Sequence, residues 1–296
     1  MSLDKKKRDG LSASRSEIEA LVYLYEDTDV YVRTKVEERL KELGERSVPL
    51  LDEVQSKSKD DELKVRFQDL IHLITFGSLE QEFANYLEKG VDTLNDLEKG
   101  IFLLSRFENP TLRTEVYKRK IDRMASEIET DIQLTVDPVE KMNILIHHIY
   151  KKKKFSGSMD EFSNPTNFFM HKVLDRKKGI PLNLALLVLF MAHRLKLPFE
   201  GVNMPMHFLL KYDVSGKKIY IDPYNKGNVI SVDQCLTFLK KGGIKPTAEH
   251  FNSASHHEML TRSIRNLIHG YEKNNETDKA VKLQRLLGLV DTMVNQ

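Results

Sequence analysis

Gly179-Ile-Pro-Leu-Asn-Leu-Ala-Leu-Leu-Val-Leu-Phe-Met-Ala-His-Arg-Leu195 is the most apolar stretch of the chain. Pro181 suits the first turn of a helix, where a missing N–H costs nothing. The segment from Leu182 to Leu195 is polar only at Asn183, His193 and Arg194, so it is expected to be a central, buried helix. Its apolar run, Leu184–Ala192, is far shorter than the roughly 20 residues a membrane span needs.

After this helix the period changes. Phe199–Met204 is followed by His207-Phe-Leu-Leu-Lys-Tyr212, a turn at Asp213–Gly216, and Lys218-Ile-Tyr-Ile-Asp222. The last two segments predict a hairpin. His207 then begins one strand and Asp222 ends the other, and antiparallel pairing brings such positions together. Asp222 would orient the imidazole of His207 as a general base.

Upstream, Asp27-Thr-Asp29-Val-Tyr-Val-Arg33 and Asp60-Asp-Glu62-Leu-Lys-Val-Arg66 align at a fixed offset that also superposes Leu40 on Leu73 and Gly44 on Gly77. Acidic residues favour a helix start and glycine a helix end. Each copy therefore predicts a pair of short amphipathic helices, a pattern that resembles HEAT-type repeats. Helical spacing continues through Leu97, Ile101, Leu104 and Phe107, then Val116, Ile121, Met124 and Ile128, with breaks at Asn109-Pro110 and Asp137-Pro138. His147-His148 lies in a further stripe, but adjacent helical residues do not face one ligand. Phe155–Pro165 is rich in turn formers and reads as an ordered loop before a helix near Phe168–Arg176. Ser231–Leu239 and His256–Leu287 return to helix, the latter in two stripes that resemble a tetratricopeptide-type pair.

The fold class expected is α+β and mostly helical. A polar, disordered tail covers 1–15, HEAT-like helices 16–92, and a helical lead-in with the central module 93–230. C-terminal helices cover 231–296. The 296 residues carry a formal charge of +2, too little to argue for nucleic acid. The basic runs Lys5–Arg8 and Lys151–Lys154 have acidic neighbours and read as solvated surface. A single cysteine, Cys235, leaves no intrachain disulfide and fits a reducing compartment, with cytoplasmic location expected. HExxH, paired Cys-x-x-Cys and phosphate-binding glycine loops are missing from the sequence, so neither metal nor other cofactor is expected.

The segment Asp137–Gly227 resembles the SirB-type branch of the transglutaminase-like (papain-like) superfamily. The matching stretches are Phe155-Ser-Gly157, Asn164-Pro165, Val173-Leu-Asp-Arg176, Gly179-Ile-Pro181, Leu197-Pro198, Gly201-Val-Asn203, Pro205-Met-His207-Phe208 and Ile221-Asp-Pro-Tyr-Asn225. Leu97–Ala125 is similar to the region that precedes this module, and the C-terminal helices to its usual tail. Active enzymes of the superfamily use Cys, His and Asp, the cysteine opening the buried helix in Gly-x-Cys, where the helix dipole lowers its pKa. Counting back from Leu195–Pro198 without a gap, the resemblance puts Pro181 at the cysteine position and His207 and Asp222 in the other two roles. The branch itself shows Gly-Ile-Pro here. Two departures from it are Pro205-Met206-His207 for Pro-Gly-His, expected to narrow or cap the space beside His207, and Gly157-Ser158 for Gly-Asn.

Proline has no nucleophilic atom. The expected function is noncatalytic binding of a protein, peptide or small polar ligand, with Asn183, Ser156 and Asn225 as accessory ligand-binding candidates. One alternative is an unconventional amide hydrolase or transferase in which His207–Asp222 activates water or a loop serine, Ser156 or Ser158. Another is a structural scaffold whose function lies on the HEAT-like surface. Cys235 reads as a small buried apolar residue.

Overall fold

A computed structural model describes residues 15–158 and 165–294. The expected N-terminal tail, apart from Arg15, lies outside the described residues, as do the Lys5–Arg8 run and Asn164. The chain forms two compact units, one within residues 1–82 and 106–112, the other within 83–105 and 113–296.

The helices of the first half are α1 (Arg15–Leu24), α2 (Val30–Leu43), α3 (Val48–Lys57), α4 (Asp61–Leu87) and α5 (Leu94–Glu108). In the first unit, Ile18, Val22, Val36, Leu40, Leu51, Phe67 and Leu70 share one apolar core. The two acidic turns of the repeat are equivalent in detail. Asp27 Oδ1 accepts from the backbone N–H of Asp29 at 2.8 Å, and Asp60 Oδ1 from that of Glu62 at 2.9 Å. The repeat then diverges. Gly44 closes α2 with φ of 62°, whereas Gly77 lies inside α4, so the expected second helix pair is one continuous helix. Burial diverges too: Leu40 is 0% exposed and its counterpart Leu73 46%. A glycine permits a helix end but does not impose one. Gly77 costs about 1 kcal/mol in a helix interior, and burial of Phe76 and Leu79 on either side offsets that.

In the second unit, α6 (Thr114–Leu134) and α7 (Pro138–His147) follow the breaks foreseen at the prolines, with Asp137 capping α7 through the backbone N–H of Val139. A π-helical turn spans His148–Lys152. β1 (Ser156–Gly157) pairs in parallel with β2 (Lys178–Gly179), which follows α8 (Met170–Arg176). Next is α9 (Pro181–Arg194), whose residues Pro181–Ala192 are all buried. It packs against α6, α7, α8 and both sheets, which accounts for its lack of a polar face. Arg194, at its last turn, forms a two-pronged ion pair with buried Glu98 at 2.9 and 3.0 Å.

A four-stranded antiparallel sheet follows in simple meander order: β3 (Phe199–Val202), β4 (Leu209–Val214), β5 (Lys217–Asp222) and β6 (Asn228–Ile230). The β4–β5 hairpin turns on Ser215 and Gly216, both at positive φ (52° and 87°), as a tight two-residue connection requires. His207 does not begin the strand as expected. Met206 at φ 61° and the bond from His207 N–H to Met204 O keep the chain in a turn until Leu209. A capping box of Ser231 and Gln234 starts α10 (Val232–Lys241). The hairpin of α11 (His256–Lys273) and α12 (Thr277–Val294) ends the described chain. The expected apolar stripe Leu260, Ile264, Leu267 and Ile268 is buried on α11, and Ala280, Leu283 and Leu286 are buried on α12. The protein is thus mostly helical α+β. Among the described residues, no helix is long and apolar enough to cross a membrane.

Candidate functional site

The start of α9 is fixed from both sides. The backbone N–H groups of Ser156 and Ser158 donate to the carbonyls of Lys177 and Gly179 at 3.0 and 3.1 Å, holding the Ser156–Ser158 strand beside the entry to Pro181. Tyr224 ties that strand to the end of β5. Its hydroxyl donates to Ser158 O at 2.9 Å, and its ring lies so close over Gly157 that a Cβ there would sit 2.6 Å from a ring carbon. Glycine at 157 is therefore a packing requirement.

In the β4–β5 register Leu210 faces Ile221, so the chain entering β4 passes beside Asp222. Nε2 of His207 lies 3.0 Å from Oδ1 of Asp222. With Nε2–H donating to the carboxylate, Nδ1 is the lone-pair nitrogen. It has no hydrogen-bond partner among the described residues. The same Oδ1 accepts from the backbone N–H groups of Tyr224 (2.9 Å) and Asn225 (3.1 Å). Burial pushes the Asp222 pKa up, but the hydrogen bond and charge of His207 and the two backbone donors outweigh it, and the net shift is downward. The imidazole stands edge-on to Tyr224, with ring centroids 6.4 Å apart at 89°, and lies 5.8 Å from Phe238. Side-chain exposures of 13% for His207 and 16% for Asp222 leave both narrowly open to solvent.

The remaining candidates separate. Asn183 is buried and its side-chain amide donates to Phe168 O at 2.8 Å, an anchor for the segment before α8. Asn225 is exposed and joins the site through its backbone N–H alone. Ser156 is half-buried, whereas Ser158 is 4% exposed. Cys235 is fully buried in a cluster with Val202, Met204, Leu209 and Leu239, and burial, then the charge of Asp222, raises its pKa. The Met206 side chain is 56% exposed, and its methyl lies against Gly242 at the end of α10.

Two tyrosines were not foreseen as site residues. Tyr224 lies within a quoted motif, but its role depends on a contact with Gly157 far away in sequence. Tyr150 lies on the π-helical turn with its hydroxyl buried and without a hydrogen-bond partner among the described residues. Burial, and after it the charge of Asp222, holds its pKa well above the ordinary phenol range. Gly227, at φ 72°, leaves room for the Tyr150 ring, since a Cβ there would be 2.8 Å from it. The described residues contain no group of three or more His, Cys, Asp or Glu placed to hold a metal.

The helix α9 is buried, and the His207–Asp222 pair joins the turn before β4 to the end of β5. The sequence model of the transglutaminase-like superfamily matches residues 115–265, and the chain belongs to that superfamily. Within it, the chain is 29% identical over 196 residues to a UPF0162 protein of Xylella fastidiosa, covering 64% of this chain and 69% of the relative. It is 23% identical over 193 residues to Protein SirB1 of Salmonella typhimurium, covering 64% and 71%. Together these similarities accord with the SirB-type branch. Human F-box only protein 21 is 31% identical over 168 residues, which is 54% of this chain but 26% of that protein. No solved structure matches the chain.

Proposed function

We propose that this chain is a noncatalytic member of its superfamily that holds a peptide or small polar ligand beside His207 and Asp222. The observation carrying this reading is Pro181 as the first residue of α9, the position that the resemblance assigns to the superfamily's cysteine. Proline offers neither a nucleophile nor an N–H, while it starts the helix well. The retained His207–Asp222 pair supplies a polar, oriented ligand contact in place of a general base. Ser156 at the rim is an accessory contact. The helices within 16–92, HEAT-like in sequence, supply a surface for a protein partner, and a cytoplasmic location suits the single cysteine. Purified protein assayed against peptide and amide substrates is expected to give no turnover. Hydrolysis or transfer that disappears in His207→Ala would overturn the reading.

The 3.0 Å His207–Asp222 bond favours a second reading, because such a dyad, with Nδ1 unpaired among the described residues, can accept a proton from water or from Ser156. In that case turnover would be lost in His207→Ala. Its loss in Ser156→Ala as well would distinguish a serine nucleophile from activated water.

A further inference from the structure

Arg262 on α11 is a desolvated cation whose partners are all neutral. Its Nη1 donates to Met204 O at 3.0 Å and, over a short distance, to Asn203 Oδ1. The guanidinium lies over the Phe208 ring, 5.6 Å from its centroid. Among the described residues no carboxylate forms an ion pair with it, and Nε and Nη2 make no hydrogen bond. Partial burial pulls its pKa down, as expected for a half-buried charge without a counter-ion among the described residues. Such a charge is costly unless something compensates it.

Arg262 lines a cleft of about 830 Å³ between the Asn203–Met206 segment and α11. Thr261, 9% exposed, also lines it, and its buried Oγ1 has no hydrogen-bond partner among the described residues. Arg265, exposed and on the same helical face as Arg262, adds a second guanidinium. Pro205 and the exposed thioether of Met206 form an apolar rim.

The other titratable groups of the cleft narrow the ligand. Glu258 is committed to capping α11, accepting from Ser255 N–H at 2.7 Å and from its hydroxyl at 2.9 Å. His257 shares its Nε2 with Val290 O at 3.2 Å, and Asp291 stands on the α12 side. Two carboxylates lining the same cleft disfavour a doubly charged phosphate more than a singly charged carboxylate, which can meet both guanidiniums.

We propose that this cleft binds the carboxylate of a peptide, at its C-terminus or on an acidic side chain. The inference does not rest on the reading of His207 and Pro181. The test is an NMR titration of the full chain, following the side-chain Nε–H signals of Arg262 and Arg265. The probes are N-acetyl-Leu-Leu with a free carboxylate, the same peptide as its C-terminal amide, N-acetyl-Glu-Leu-amide, and inorganic phosphate. Saturable shifts are expected with the free carboxylate or the glutamyl peptide, whichever source is used, and not with N-acetyl-Leu-Leu-amide. Arg265→Ala should weaken that binding about tenfold, whereas Thr261→Val, at a buried hydroxyl, should leave it unchanged. Thr261→Val should meanwhile keep or raise the melting temperature, because it removes an unpaired buried hydroxyl. Tighter binding of phosphate, equal binding of the acid and the amide, no saturable shift with any peptide, or unchanged affinity in Arg265→Ala would each overturn the proposal.

Discussion

Asp222 performs two tasks with one oxygen. It orients His207, and it closes the turn at Tyr224 and Asn225 through their backbone N–H groups. Because its pKa is lowered in the folded protein, Asp222 contributes stability above the ordinary carboxylate pKa. That contribution is lost as pH falls below about 4 and through the lowered folded value. Asp222→Asn is expected to cost about 2 kcal/mol at pH 7. Denaturant titrations across pH 2–7 should show the difference from the parent shrinking toward the acid end; a constant difference would refute this account. Pro181 admits an equally direct test. In a Pro181→Cys chain, the new thiol at the start of α9 should be alkylated by iodoacetamide at neutral pH far faster than Cys235, whose pKa is raised. Adding His207→Ala should slow that alkylation about tenfold or more. Equal rates with and without His207 would show that position 181 does not face the imidazole.

At the scale of elements, local signals had uneven reach. Helix boundaries were legible: the break at Asp137-Pro138, the return to helix at Ser231 and the start at Pro181 each fall where a helix begins. Gly77 shows the limit, because the same residue that ends α2 at Gly44 is absorbed inside α4. A Cβ at Gly77 would meet nothing within 4 Å. Gly77→Ala should therefore stabilise the protein by about 1 kcal/mol, read as a higher urea midpoint with unchanged slope. A lower midpoint would mean that glycine is needed there for a helix bend or a contact. The hairpin was legible in its partners but not in its start. His207 belongs to the turn before β4 because Met206 takes a left-handed backbone conformation that no hydrophobic pattern encodes.

Over the whole molecule, the first compact unit draws residues 106–112 from beyond α4 to complete itself. Phe107 packs edge-on to Phe76 with centroids 6.2 Å apart and to His72 at 6.0 Å, and His72 Nε2 meets Glu108 O at 3.0 Å. Phe107→Ala should cost about 3–5 kcal/mol by opening a cavity in that unit. Native-state hydrogen exchange is expected to quicken at amides of α4 before residue 82 while leaving those of β4 and β5 near their parent rates. Uniform acceleration throughout would instead indicate one cooperative unit.

The sequence by itself determined the mostly helical α+β class, the buried α9, the superfamily and the pairing of His207 with Asp222. Those follow from periodicity, proline and cap placement, and ordered motifs, all of which act over short separations. Only the tertiary structure decided that Tyr224 clasps Gly157, that Asn183 is an anchor for Phe168 O, that Met206 turns toward Gly242, and that Arg262 has no charged partner among the described residues. Each of these depends on which distant segments meet and on what burial leaves unpaired, and neither is written in the spacing of residues along a chain.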